Sequence, residues 1–256
     1  MKKSLLALAA LSALTVLPTL SHAEDANPLS FNVSLTSDYR YRGISQSRLK
    51  PALQGGADYA FANGFYVGTW GSTISWIKDA GTIGGIDTGS APVEIDIYGG
   101  YKGEIQKDFG YDVGLLQYWY PGNKLSDLTT KNANTLEIYG ALTYGPVTLK
   151  YSHSLTSLFG TATTQGDSKG SGYLDLSLNF DLGNGWSITP HVGEQRIRHY
   201  YNYTDYSVTV GKDLGDGLSA SAAVVGTNKS DFFLLPGSGS KDLGKSSLVL
   251  GIKKTF

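Results

Sequence analysis

The chain has 256 residues, with 21 Lys and Arg against 22 Asp and Glu, four histidines, no cysteine, 33 glycines and 17 tyrosines. That balance lacks the concentrated basic footprint of a nucleic-acid binder. The missing cysteines exclude a disulfide-stapled exported scaffold. Glycine lies well above the roughly 7 percent of an ordinary soluble protein.

The chain opens with Met1-Lys2-Lys3, an apolar run of thirteen residues from Leu5 to Leu17, the helix breaker Pro18, and the small-residue segment Ser21-His22-Ala23. This is the layout of a secretory signal peptide, and the run is shorter than the roughly 20 residues of a spanning helix. Residues 1–23 are therefore expected to be removed. Residues 24–256 are expected to form one outer-membrane β-barrel domain. Without Lys2 and Lys3 the 21 basic residues become 19 against 22 acidic ones, so the mature chain is mildly acidic.

Beyond the signal segment, helical periodicity gives way to alternation of period two. Leu174, Leu176, Leu178 and Phe180 alternate with Asp175, Ser177 and Asn179; Val93, Ile95 and Ile97 alternate with Glu94 and Asp96. In chain order the pattern predicts twelve strands, at 31–41, 51–61, 65–75, 93–105, 109–120, 135–144, 147–154, 172–181, 186–194, 204–213, 218–227 and 245–256. Most are ten or eleven residues long, the length a tilted strand needs to cross a bilayer. The fold class expected is all-β, a transmembrane antiparallel up-and-down barrel.

Tight turns at 62–64, 106–108, 145–146, 183–185 and 214–217, rich in Gly, Asn, Asp and Pro, alternate with long polar segments at 76–92, 121–134, 155–171, 195–203 and 228–244. That asymmetry is the habit of outer-membrane barrels, with turns and both termini periplasmic and long loops extracellular. Aromatic residues gather at both strand ends. Phe31, Phe61, Phe65, Phe109, Tyr111, Tyr144, Phe180, Trp186 and Phe256 fall beside the turns; Tyr39, Tyr41, Trp76, Trp119, Tyr120, Tyr200, Tyr201 and Tyr203 fall near the loops. Two interfacial girdles are the expected reading. A soluble β-sandwich would concentrate its aromatics mid-strand instead.

The chain finishes on alternating Leu248, Leu250 and Ile252 and a terminal Phe256. This resembles the C-terminal insertion signal of outer-membrane barrels, with Lys254 standing where an apolar residue is more usual. A lysine near the interface can snorkel.

If the apolar phase faces lipid, the other phase lines the lumen. Its ionisable residues are Asp38, Arg40, Arg42, Asp58, Glu94, Asp96, Lys102, Asp112, Glu137, Lys150, Asp175 and His191. Eight strands leave an interior filled by side chains and sixteen leave an aqueous channel, so twelve imply a narrow or a plugged lumen. Arg40 and Arg42, read as lying on one strand face, either attract anionic solutes or pair with carboxylates such as Glu94 and Asp96.

With these residues in place, the N-terminal third resembles the TorF family of porins, also known as the Gcw_chp family of unknown function. The resemblance rests on Thr36-Ser37-Asp38-Tyr39-Arg40-Tyr41-Arg42-Gly43-Ile44-Ser45-Gln46, on Pro51 with Gln54-Gly55-Gly56-Ala57-Asp58-Tyr59, and on Gly64-Phe65-Tyr66-Val67-Gly68-Thr69-Trp70-Gly71-Ser72. The segments 94–101 and Tyr118-Trp119-Tyr120-Pro121-Gly122 fit the same pattern. The later strands match in architecture alone. The resemblance implies an outer-membrane barrel with a transport role and brings no established substrate.

The function expected is a porin-like channel for passive diffusion of small hydrophilic solutes. Its partners would be outer-membrane lipid, the barrel-assembly machinery during insertion, and small polar solutes. A non-conducting structural or surface-interaction barrel is the alternative. A membrane-embedded hydrolase is less favoured: His153 lies between Ser152 and Ser154, but adjacent strand residues point to opposite faces. No enzyme activity, cofactor or metal is expected, since the histidines are scattered and no ligand spacing recurs. Asp213-Leu214-Gly215-Asp216-Gly217 lacks the later acidic ligand of a calcium loop and reads as a hairpin turn. Gly166-Asp167-Ser168-Lys169-Gly170 lacks the order of a phosphate loop.

Overall fold

Hydrocarbon offers no partners to backbone N–H and C=O groups, so strands that cross it must pair on both sides until the sheet closes. The computed structural model describes residues 27–229, 234–235 and 241–256, and it shows that closure. The expected signal segment, residues 1–23, lies outside the described residues, as does part of the last loop.

Twelve antiparallel strands make the wall. They are β1 (Leu29–Thr36), β2 (Ala52–Ala60), β3 (Phe65–Thr73), β4 (Val93–Gln106), β5 (Phe109–Trp119), β6 (Thr135–Tyr144), β7 (Val147–Ser154), β8 (Gly172–Leu178, resumed as Phe180–Gly183), β9 (Trp186–Arg196), β10 (Asn202–Gly215), β11 (Leu218–Thr227) and β12 (Ser247–Thr255). Each pairs with its sequence neighbours, and β12 returns to β1 with Leu35 opposite Ile252. At the seam the Phe256 N–H donates to the Phe31 carbonyl at 2.9 Å, which puts both described ends of the barrel at the turn end.

The alternation is inside-out relative to a soluble protein. Leu248, Leu250, Val113 and Ile97 stand exposed on the outer face, whereas Glu94, Glu137 and Asp175 are nearly fully buried within. An apolar exterior of this kind is stable only against lipid. Among the described residues no helix is long and apolar enough to cross a membrane.

The five tight turns fall where expected, and Gly183-Asn184-Gly185 shows their chemistry: all three residues have positive φ, at 80°, 53° and 76°. That conformation is cheap for Gly and tolerable for Asn. The turn at 213–217 is likewise a hairpin, with the Gly215 N–H bonded to Asp213 Oδ1 at 2.8 Å. Glycine and tyrosine also explain each other. In register, Tyr66 faces Gly100, Gly68 faces Tyr98, and Gly114 faces Tyr139. A methyl group on Gly68 would sit 2.4 Å from the Tyr98 ring, so each phenol lies against wall that only glycine leaves vacant.

Three expectations need correction. The first strand stops at Thr36 rather than running to residue 41, because residues 37–51 turn into the barrel. The segment 76–92 is not simply polar: it holds α1 (Trp76–Gly84), whose Ile77 is fully buried and which ends on Gly85 in the left-handed region. A second short helix, α2 (Ser126–Thr129), lies in the next loop. The loop-end girdle is also only partial. Trp119 and Tyr200 are exposed, whereas Tyr39, Tyr41, Tyr120 and Tyr203 are buried. Alternation gave the phase of strands, but it could not tell a ring facing lipid from a ring folded inward by a loop.

Two outcomes check this architecture. In detergent gels, unboiled protein should migrate differently from boiled protein; equal mobility would contradict a closed barrel. Leu250→Arg, placing a charge on the lipid face near mid-strand, should lower unfolding free energy in bilayers by about 2–4 kcal/mol, measured by urea titration.

Candidate functional site

The lumen is crossed by the connection between β1 and β2, residues 37–51. Two residue pairs at its tip, Arg40–Tyr41 and Ile44–Ser45, form a miniature hairpin. The reversal uses Arg42 at φ 45° and Gly43 at φ 81°. Gly43 has no room for a side chain, because a Cβ there would lie 2.5 Å from Thr227 Cγ2 and 2.7 Å from Asp205 Cβ. The tip is thus seated against β10 and β11.

Each arginine of the tip is tied down separately. Arg40 Nε donates to Asp38 Oδ2 at 2.6 Å, and Arg40 Nη1 to the carbonyls of Gly43 and Leu243 at 2.9 and 2.8 Å. Its Nη2 reaches Ser247 Oγ at 3.0 Å, joining the tip to the last strand. The other oxygen of Asp38 accepts from the hydroxyls of Ser45 and Ser47, which holds the loop to itself. Arg42 Nη2 forks onto Glu137 of β6 at 3.0 and 2.8 Å, while Nη1 donates to Gln195 of β9 at 2.5 Å. Its guanidinium also lies 4.2 Å above the Tyr173 ring and 4.8 Å from that of Tyr41. One side chain therefore bridges distant strands across the bore.

Above the tip an aromatic group packs at the loop end. Phe159 stands 5.2 Å from both Tyr41 and Tyr118, and Trp76 and Tyr120 pack edge-on at 5.3 Å. Phe159 sits in a one-turn helix, Leu158–Gly160, at φ 48°. Such a conformation is uncommon for a bulky residue and persists where surrounding contacts enforce it. Ile77, Leu116 and Leu125 join the same buried cluster. Outside it, Asp167 pairs with Lys131 at 3.3 Å, and the Lys169 N–H followed by that lysine holds its carboxyl below the usual range.

All twelve ionisable residues proposed for the lumen have side chains directed inward or set in the inward loop. Asp38, Arg40, Glu94, Asp96, Lys102, Asp112, Glu137 and Asp175 are buried, and Arg42, Asp58, Lys150 and His191 are partly so. Arg40 and Arg42 do not share a strand face, as their spacing had implied, because the strand has already ended. Their carboxylate partners are Asp38 and Glu137 rather than Glu94 and Asp96. Glu94 instead accepts from the Tyr39 hydroxyl at 2.6 Å. Lower in the bore, Tyr66 OH donates to Asp112 at 2.7 Å and contacts Tyr139 OH, and Tyr98 OH donates to Asp58 at 2.6 Å.

Several lumenal residues were missed. Asp205, Ser207 and Thr209 lie inward on β10, opposite outward Tyr206, Val208 and Val210; the alternation that would reveal them was present. Lys253 on β12 was hidden beside Lys254. The sequence pattern assigns Tyr39 and Tyr41 to the end of the first strand rather than to an inward loop, and Phe159 carries no periodic signal. His153, meanwhile, contacts Tyr151 OH at 3.4 Å, while its neighbours Ser152 and Ser154 are buried on the opposite face. Among the described residues no serine hydroxyl bonds a histidine, and no three His, Asp or Glu side chains gather as metal ligands.

The Arg42–Glu137 pair yields a double-mutant prediction. Arg42→Met and Glu137→Leu each strand a buried charge and should each cost about 3–5 kcal/mol of unfolding free energy. Arg42→Met combined with Glu137→Leu removes both charges and should recover most of that loss. Additive losses in urea titrations of the two single variants and the pair would show that the two side chains do not act together.

Solved structures share the barrel. A KdgM porin matches with TM-score 0.55 and 8% identity, over 89% of this chain and 98% of its own. A KdgM porin in complex with disordered oligogalacturonate matches at 0.54 and 9%, and a NanC porin at 0.52 and 9%, both with the same coverage. At such identity the likeness establishes the fold alone. No curated protein matches the chain. The family model described as "Bacterial protein of unknown function (Gcw_chp)" matches residues 21–256, more than nine-tenths of the sequence, and the chain belongs to that family.

Proposed function

We propose that the protein is a bacterial outer-membrane channel through which small hydrophilic solutes diffuse passively. The observation that carries this reading is a closed twelve-strand wall, apolar outside, around an interior of ionisable and hydroxylated side chains. A polar interior is common to conducting and plugged barrels, and twelve strands give a bore wider than wall side chains fill. The solved barrels of like fold are described as porins, one of them with oligogalacturonate, and the resemblance to TorF-family porins points the same way.

In this reading residues 1–23 are the cleaved signal. The tight turns and both barrel ends face the periplasm, and the long loops face outward. Leu248, Leu250, Ile252 and Phe256 serve recognition by the assembly machinery. The pore is lined by Asp58, Glu94, Asp96, Lys102, Asp112, Glu137, Lys150, Asp175 and His191, and the tip bearing Asp38, Arg40 and Arg42 forms its narrowest part. No step of chemistry is assigned to the protein: His153 is turned away from its serines, and His191 is held between two carboxylates.

The inward loop favours a second reading, a barrel that never conducts. Planar bilayers separate the two. The purified protein should give small stepwise conductances, and Arg42→Ala, which releases the tip from β6 and β9, should give larger steps. Silence of both folded proteins at high load would overturn the channel and leave the non-conducting barrel.

A further inference from the structure

Charge is scarce on the lipid-facing side of this barrel. Along the outward phase of the strands, the charged residues among those described are Glu194 and Arg196 at the loop end of β9, with Lys212 and Lys254 at the turn ends of β10 and β12. The two lysines are accounted for. Each stands over an interfacial ring, Trp186 at 5.0 Å and Phe256 at 5.7 Å, and each donates to a turn carbonyl, of Asn184 and Asp216 respectively.

The loop-end charges have less to hold them. Arg196 stands in one row with Gly172 and His153, which the registers of β7, β8 and β9 set side by side on the outer face. Its Nε donates to Glu194 at 3.1 Å, but among the described residues neither terminal nitrogen has a partner, and the side chain is 74% exposed. Gly172 leaves room for the Tyr151 hydroxyl, which a Cβ would meet at 2.5 Å. Arg198 comes back toward the same row: its Nη1 donates to the Lys169 carbonyl at 3.4 Å, and a Cβ on Gly170 would meet that nitrogen at 3.6 Å and His153 Cε1 at 4.0 Å. Lys169 and Arg198 are both exposed. The acids on this surface are Glu194 and Asp167, the latter held by Lys131 at 3.3 Å and by the Lys169 N–H at 3.1 Å. Asp175 and Asp205 lie on the other face of their strands, buried toward the bore beside His191. Positive charge is therefore in excess here.

We propose that this row is a docking site for a phosphate group of an anionic lipid headgroup, gripped by the Arg196 guanidinium with Arg198 and Lys169 beside it. Charge on the lipid face is costly at mid-depth and tolerated at the interface, so Arg196 marks the headgroup level. Basic residues there attract anionic lipid. With Nε taken by Glu194, the edge formed by Nη1 and Nη2 still presents two donors, which match two phosphate oxygens. With the long loops outward, the leaflet met at this end is the external one, and its phosphate-bearing glycolipid is the occupant. The choice of lipid rests on the proposed orientation, whereas the phosphate contact does not, and neither depends on conductance.

Two measurements on the full-length protein test these parts separately. Titration of the detergent-solubilised protein with bisphosphorylated lipid A, read by native mass spectrometry, should show bound lipid, and Arg196→Gln combined with Arg198→Gln should weaken that binding severalfold. Lipid A stripped of its phosphates should bind severalfold less. Glu194→Gln, which frees Arg196 Nε, should bind more, while Lys212→Gln at the turn end should match the wild type. Each variant should keep the wild-type mobility of unboiled protein, which separates lost binding from lost fold. Equal binding by the folded double variant, or by the stripped lipid, would overturn the site; so would competition by inorganic phosphate at the lipid's own concentration, the mark of a soluble-anion site. In whole cells, Gln165→Cys, in a chain that otherwise has no cysteine, should react with a membrane-impermeant maleimide. Labelling only after the outer membrane is permeabilised would overturn the glycolipid as occupant together with the proposed orientation, and would leave the phosphate contact to a phospholipid.

Discussion

The structure depends on one constraint: in hydrocarbon, backbone hydrogen bonds must be satisfied by the backbone itself. Pairing β12 with β1 meets it, since that seam removes the last two sheet edges. Once the sheet is closed, each strand has one face toward lipid and one toward the bore, and successive side chains must alternate between them. The lumenal acids and bases are therefore a consequence of closure. Glu94 and Asp96 are inside because Ile95 and Ile97 must be outside.

Closure also fixes the size of the interior, and twelve strands enclose more space than wall side chains fill. The chain fills part of it in two ways. Tyrosines lie over cross-strand glycines, thickening the wall where Tyr66, Tyr98 and Tyr139 sit. The first loop then occupies the middle of the bore. A loop placed there meets buried carboxylates, and arginine suits it because a planar fork can satisfy two acceptors at once. Lysine at position 42 could not hold Glu137 through two oxygens while also reaching Gln195 and stacking on Tyr173 in the same geometry.

The wall was legible because its physics is local. Period-two alternation with turn chemistry placed β6, β7 and β11 at their observed bounds, and the strict exchange of short and long connections gave the barrel its two unlike ends. The lumenal positions of Glu94, Asp112 and Asp175 followed from phase alone. The contents of the bore were not legible in the same way. The path of residues 37–51 depends on Arg40 meeting carbonyls some two hundred positions away, at Leu243 and Lys245, and on Thr227 and Asp205 leaving space for Gly43. The alternation of Tyr39, Arg40, Tyr41 and Arg42 mimics a strand, so the segment reads as a continuation of β1. Phe159 was invisible for a different reason, since its role comes from a positive φ in a one-turn helix rather than from a strand.

The two parts of the lumenal filling have different energetic character. The aromatic group of Trp76, Tyr118, Tyr120 and Phe159 excludes water, and separating it exposes apolar surface at a cost that grows with area. The arginine tip below is bound by charge-assisted hydrogen bonds, and these exchange for water with little net change once the bore is wet. Dry, the same contacts are strong, because a buried charge that loses its partner is costly. Hydration of the lumen therefore decides how firmly the tip is held.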